Sequence, residues 1–321
     1  MRSLRWVGLL LLYVGAQLVG LALAVPFHSE GLSSTSNPQS PTAPLFIIGL
    51  IVVAPLGILY LARKQGGLAA LRQLILIGIS GSLYITLYAT FSLGLPPILL
   101  APTGAELQLD FALILAAMAS AGAYIALMME PQWYIVDLVG FVAAGSLVAI
   151  LGISFGILPA FILLGALMVY DAIAVYRTKH MVSLADVVTE MKLPILMVMP
   201  DSAGYDYTAA PTLQQQRGQP VEERAAMFMG LGDIVIPGTL VVSAFIWLPS
   251  DPSILGVGAN LWAAAGAMLG SLAGYAFLMR LVMRGNPQAG LPLLNGGALL
   301  GYALAYLLVF HSVTLGLTGA L

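Results

Sequence analysis

The chain has 321 residues, of which 60% are hydrophobic and 8% charged, with a formal net charge of −2. Soluble domains carry about 25% charged residues, so a soluble globular protein is excluded, and without a basic excess there is no electrostatic footprint for nucleic acid. Cysteine is absent, and His28, His180 and His311 lack HExxH spacing; disulfides, thiolate nucleophiles and Cys-ligated zinc are excluded, a zinc protease is disfavoured, and no metal or other cofactor is expected.

A membrane-spanning helix needs about 20 apolar residues. Such runs fall at 5–27, 44–62, 72–94, 109–130, 132–152, 156–177, 225–248, 257–282 and 291–315. The expected fold is an all-α integral membrane protein, one domain over residues 1–321, built as a single bundle of nine transmembrane helices. The tightest joints are Glu130-Pro131 and the stretch from Gly152 to Gly156. Lys and Arg accumulate in short cytoplasmic loops, and with nine spans all twelve lie on one side, whereas 28–43, 95–108 and 249–256 contain none. This pattern predicts a cytoplasmic N-terminus and an external C-terminus, in a multi-pass protein of the cell membrane.

In the first span, Arg2 and Arg5 precede an apolar stretch ending in Ala22-Leu23-Ala24, the outline of a cleaved signal peptide. Its length of about 20 residues exceeds the 7–15 of a signal sequence and favours retention. In the third span, Gly78-Ile79-Ser80-Gly81 matches a rhomboid serine-protease string, but with 35 glycines the match is weak and Ser80 reads as a packing residue. Asp137, about five residues into the fifth span, reads as an interfacial structural acid.

The polar insert from Thr178 to Arg224 separates the sixth and seventh spans on the cytoplasmic side. Residues 181–191 have helical spacing suited to a short surface helix, and Leu193 to Pro200 reads as a β-prone strand bounded by prolines. Beyond Asp201, a composition rich in Gly, Pro, Gln and Ala suggests a mobile linker. No internal repeat of the transporter kind is evident. In the eighth span, Gly266, Gly270 and Gly274 share a face and would allow close helix packing.

Asp171 and Asp233 lie well inside the sixth and seventh spans, where an ionisable group is costly and usually functional. At 1.5 Å per residue both are expected roughly 9 to 12 Å deep on antiparallel neighbours. Two carboxyls brought together at low dielectric cannot both ionise easily, so the pair shares a proton. In the aspartic-protease arrangement one carboxylate activates water while its protonated partner hydrogen-bonds the peptide carbonyl. Position alone weighs this equally against a cation channel or ion-coupled transporter using the same two acids. Gly230 and Gly232 would let a substrate backbone or the opposite helix come close.

The local strings favour hydrolysis. Tyr170-Asp171 in one span, Gly230-Leu231-Gly232-Asp233 in the next and a Leu-Pro opening the last resemble the presenilin and signal peptide peptidase family, with its YD, GxGD and PAL motifs. YDAIAVYRTKHM and GLGDIVIPG look most like archaeal presenilin homologues. The resemblance implies an intramembrane aspartyl protease that hydrolyses peptide bonds within transmembrane segments, with Asp171 and Asp233 catalytic and Tyr170, Gly230, Leu231, Gly232, Gly290, Leu291 and Pro292 supporting them. Ala289-Gly290-Leu291-Pro292 departs from the usual Pro-Ala-Leu-Pro but keeps small residues. In presenilins the insert is cut during maturation and borders the route of substrate access. Here Leu193, Ile195 and Met197 are the substrate-binding candidates, on a strand that would pair with an unwound substrate. A cytoplasmic N-terminus resembles presenilins, whereas signal peptide peptidases are inverted. Prepilin peptidases share the chemistry but normally bring a cysteine cluster. The implied partners are transmembrane substrates and the lipid bilayer, and the resemblance leaves room for a homo-oligomer.

Overall fold

A computed structural model of the protein describes residues 5–94, 98–100, 107–109, 111–177, 189, 191–202, 204–209, 224–283 and 288–317. In chain order the elements are α1 (Arg5–Ser29), α2 (Ala43–Ala62), α3 (Gly67–Gly94), β1 (Ile98–Leu100), β2 (Leu107–Leu109), α4 (Phe111–Met129), α5 (Trp133–Ser154), α6 (Ile157–Ala172), β3 (Leu196–Pro200), β4 (Ala226–Gly230), α7 (Leu231–Trp247), β5 (Ser253–Ile254), β6 (Val257–Gly258), α8 (Ala259–Val282) and α9 (Leu291–Phe310). A π-helical turn, Ile173–Arg177, extends α6. Eight helices among the described residues are long and apolar enough to cross a membrane, while α7, with 17 residues, is shorter.

The seventh span is where expectation and structure part. Residues 226–230 (AMFMG) form a strand, so helix begins at Leu231 rather than near 225. A short apolar run is compatible with either state, and here a partner decides: β3 and β4 pair antiparallel from Leu196↔Gly230 to Pro200↔Ala226. The last helix ends at Phe310 rather than 315, because His311 takes a left-handed conformation at the C-cap.

The larger cluster of buried side chains is formed mainly by α1, α5, α6, α7, α8 and α9, and a smaller one joins α3, α4 and α5 to β3 and β4, while α2 presents Phe46, Leu50, Val53 and Tyr60 outward, as a lipid-facing helix would. Without a hydrophobic driving force between helices in lipid, close approach depends on small residues. Gly266, Gly270 and Gly274 of α8 supply it, lying against the α9 backbone at Gly301, Gly297 and Leu293. A Cβ on Gly270 would sit 2.8 Å from Gly301 Cα, whereas one on Gly165 of α6 meets nothing within 4 Å.

Within the insert, 181–188 and 190 lie outside the described residues, and with them nearly all of the expected surface helix. Part of the expected linker is packed. Asp206 accepts hydrogen bonds from the Thr208 hydroxyl at 2.6 Å and its N–H at 2.9 Å, which hold its carboxyl below the usual carboxylate range. Tyr207 is fully buried beside Phe228, with the Lys192 ammonium 4.5 Å from its ring centre.

Gly270→Leu should cost about 1–3 kcal/mol by overpacking against backbone and lower the Tm in detergent, with Gly165→Ala as a near-neutral control; equal Tm values for the two variants would contradict this packing account.

Candidate active site

Asp171 lies in the last turn of α6, just before the backbone widens into the π-helical turn, a feature frequent at functional sites. Its side chain is buried at 7% exposure. Asp233 is the third residue of α7, after Gly230 at the N-cap. It therefore sits in the first turn, where unpaired N–H groups and the helix dipole favour negative charge. The depth estimate from a continuous helix does not apply to it, because β4 replaces the first turns of that helix.

The segment 289–291, at the start of α9, joins the two carboxyls. The Leu291 N–H donates to Asp171 Oδ2 at 3.1 Å. A Cβ on Gly290 would lie 3.1 Å from each carboxyl oxygen of Asp233. One dipeptide thus lies against both acids. Any side chain at 290 would press on Asp233, so glycine gives this carboxyl its space.

Two further ties hold that dipeptide to α6. Tyr176 of the π-helical turn donates its hydroxyl proton to Gln288 Oε1 at 3.0 Å and accepts the Ala289 N–H at 3.2 Å. One turn into α9, buried Asn295 donates to the Leu164 carbonyl at 3.0 Å. Neither Tyr176 nor Asn295 stood out in sequence, because each matters through a partner more than 100 residues away. Tyr176 does fall within the YDAIAVYRTKHM string.

The other sequence candidates divide. Tyr170 is half-buried against the core, Leu231 is buried beside Asp233, Gly232 is exposed and Pro292 occupies the first turn of α9. Leu193 and Met197, expected to face substrate, are fully buried in the protein's own core, and the Ile195 carbonyl accepts the Leu231 N–H at 3.1 Å. Ser80 of α3 is not among the residues that gather around Asp171 and Asp233. Among the described residues no cluster of three or more His, Cys, Asp or Glu is arranged to hold a metal ion.

The family model described as "Signal-peptide peptidase, presenilin aspartyl protease" matches residues 9–311. The chain belongs to this family. The protease is an integral, multi-pass membrane hydrolase of the aspartic type. It resembles two solved structures, each described as a presenilin family intramembrane aspartate protease and determined in different space groups. One matches at 29% identity and TM-score 0.63, over 95% of this chain and 99% of the other. The second matches at 28% and 0.60, over 94% and 97%. A comparison with curated proteins found no match.

Proposed function

We propose that this intramembrane aspartyl protease uses Asp171 and Asp233 as its catalytic pair on transmembrane segments of other membrane proteins. What carries the reading is the contact of both carboxyls with the same dipeptide, Gly290-Leu291. A water between the two acids attacks the scissile carbonyl carbon. The ionised acid takes the water's proton as the C–O bond forms, and the protonated acid hydrogen-bonds the carbonyl oxygen as it gains negative charge. Collapse of the tetrahedral intermediate breaks the C–N bond, and the proton passes to the leaving amine. The Leu291 N–H and the α7 N-terminus stabilise negative charge on the two sides of the site.

We read residues 1–321 as a single protease domain, with the N-terminus cytoplasmic and the C-terminus external as the twelve basic residues predict. Both acids come from one chain, so a homo-oligomer would be an assembly of complete sites. The contacts at Asp171 and Asp233 supply no feature that favours a channel or transporter.

The strand that receives substrate is β4 rather than β3. The bonds from Leu231 N–H to the Ile195 carbonyl and from Asp201 N–H to the Ala225 carbonyl fix which pairs exchange hydrogen bonds. By the alternation of an antiparallel ladder these are the odd-numbered residues of β3, so Val198 and Phe228 turn their backbone groups away from each other. On the β3 side, the Val198 N–H is taken by Asp137. On the β4 side, Phe228 offers N–H and C=O five residues before Asp233. A helix hides its carbonyls in internal bonds, and a strand edge beside the acids replaces those bonds as the substrate unwinds.

In detergent, the purified protease should cleave a transmembrane peptide, and Asp171→Asn and Asp233→Asn should each lower kcat at least about 100-fold while keeping the wild-type helical circular dichroism; near-wild-type turnover in either variant would refute the catalytic assignment. Phe228→Pro deletes an outward donor without breaking the β3–β4 ladder, and should raise KM about tenfold or more. A KM unchanged by this substitution would rule out pairing of substrate with β4.

A further inference from the structure

Asp137 of α5 is a buried acid, at 6% exposure, that the chemistry above does not use. Its Oδ1 accepts the Val198 N–H at 2.7 Å. That N–H points away from β4, so without the carboxylate it would be a strand amide buried with no acceptor. One turn further along the same face of α5, Gly140 allows the chain to approach: a Cβ there would stand 3.2 Å from the Pro194 carbonyl and 3.6 Å from Met197 Sδ. Together Asp137 and Gly140 form a seat for β3, one by bonding its backbone and the other by leaving room for it.

The far end of the hairpin is clasped by α1. The Arg5 guanidinium bonds the Arg224 carbonyl just before β4, and its Nε lies 3.6 Å from Asp201 Oδ1 just after β3. Between seat and clasp the hairpin has one register. No linker then separates it from the site, since Gly230 is both the last residue of β4 and the N-cap of α7, and Asp233 follows three residues later. A strand advances about 3.3 Å per residue, so a two-residue slip would carry Asp233 about 6.6 Å, well beyond hydrogen-bond reach of a water shared with Asp171.

We propose that Asp137 is a positioning residue for proteolysis: by accepting the Val198 N–H it locks the register of the β3–β4 hairpin and so fixes where Asp233 meets Asp171. This rests on the catalytic reading above. It assigns the carboxylate a role in the reaction, beyond the interfacial structural acid that its place near the end of a span suggested.

The test uses the full chain in detergent, with kcat and KM measured per active site titrated by a tight-binding transition-state analogue, and amide hydrogen exchange followed over 196–200. Asp137→Leu should lower kcat per titrated site at least about tenfold with KM within about twofold, and speed Val198 exchange at least about tenfold. Asp137→Asn keeps an acceptor and should stay within about threefold of wild type. Val198→Pro removes the donor instead, spares the ladder to β4, and should reproduce the Asp137→Leu pattern should that variant fold poorly. Wild-type kcat per titrated site in both Asp137→Leu and Val198→Pro overturns the proposal. So does Asp137→Asn falling as far as Asp137→Leu, unchanged Val198 exchange in Asp137→Leu, or a loss confined to the number of titratable sites. Exchange reads the hairpin without reference to turnover, so activity surviving in Asp171→Asn would refute the catalytic pair while leaving the exchange result to judge the register lock.

Discussion

The site depends on a backbone contact: Gly290-Leu291 reaches between two helices and touches a carboxyl on each side. Two acids inside a membrane bundle repel when both are ionised and are costly to bury alone. A backbone N–H at one acid and a glycine face at the other let the two stand close to one another. The departure from the usual family motif follows the same geometry. A Cβ at position 290 would stand 3.1 Å from both carboxyl oxygens of Asp233, closer than ordinary contact, so a residue even smaller than alanine relieves that approach, while Leu291 keeps the donor that Asp171 uses.

The second constraint is backbone satisfaction. A buried strand N–H needs an acceptor, and β3 pairs with β4 on one edge while its outward Val198 N–H finds Asp137 on the other. β4 runs directly into the first turn of α7 that carries Asp233, and an unwinding substrate must also find partners for its backbone groups. In the proposed pairing, binding at the β4 edge would offset part of the cost of opening a helix. Elsewhere α8 and α9 meet backbone to backbone through their glycines, and Tyr176 and Asn295 tie α9 to α6 beside the acids.

Much of this was legible in the sequence, and the misses have physical causes. The long helices follow from apolar runs of about 20 residues, and Asp171 and Asp233 stand out because acids are rare in such runs. Leu193 to Pro200 read as a strand from its composition and bounding prolines, and five of those residues form β3. Its partner did not show, because Ala226 to Gly230 is apolar and continuous with α7, and nothing local separates a strand from a first helical turn there. The substrate candidates Leu193 and Met197 are fully buried, and an apolar run does not show by itself which of its side chains the rest of the fold covers. Tyr176, Asn295 and the Asp137–Val198 bond join positions 61 to 131 residues apart, and spacing along the chain carries no trace of such pairs.

If Asp171 and Asp233 act on one water held between them, a hydroxyl-bearing transition-state analogue bound to the protease should take that water's place. In a structure of that complex the inhibitor hydroxyl should lie within hydrogen-bond distance of both carboxyls, with the inhibitor backbone along β4. An inhibitor whose hydroxyl reaches only one of the two acids, or that binds away from Gly290-Leu291, would contradict that arrangement.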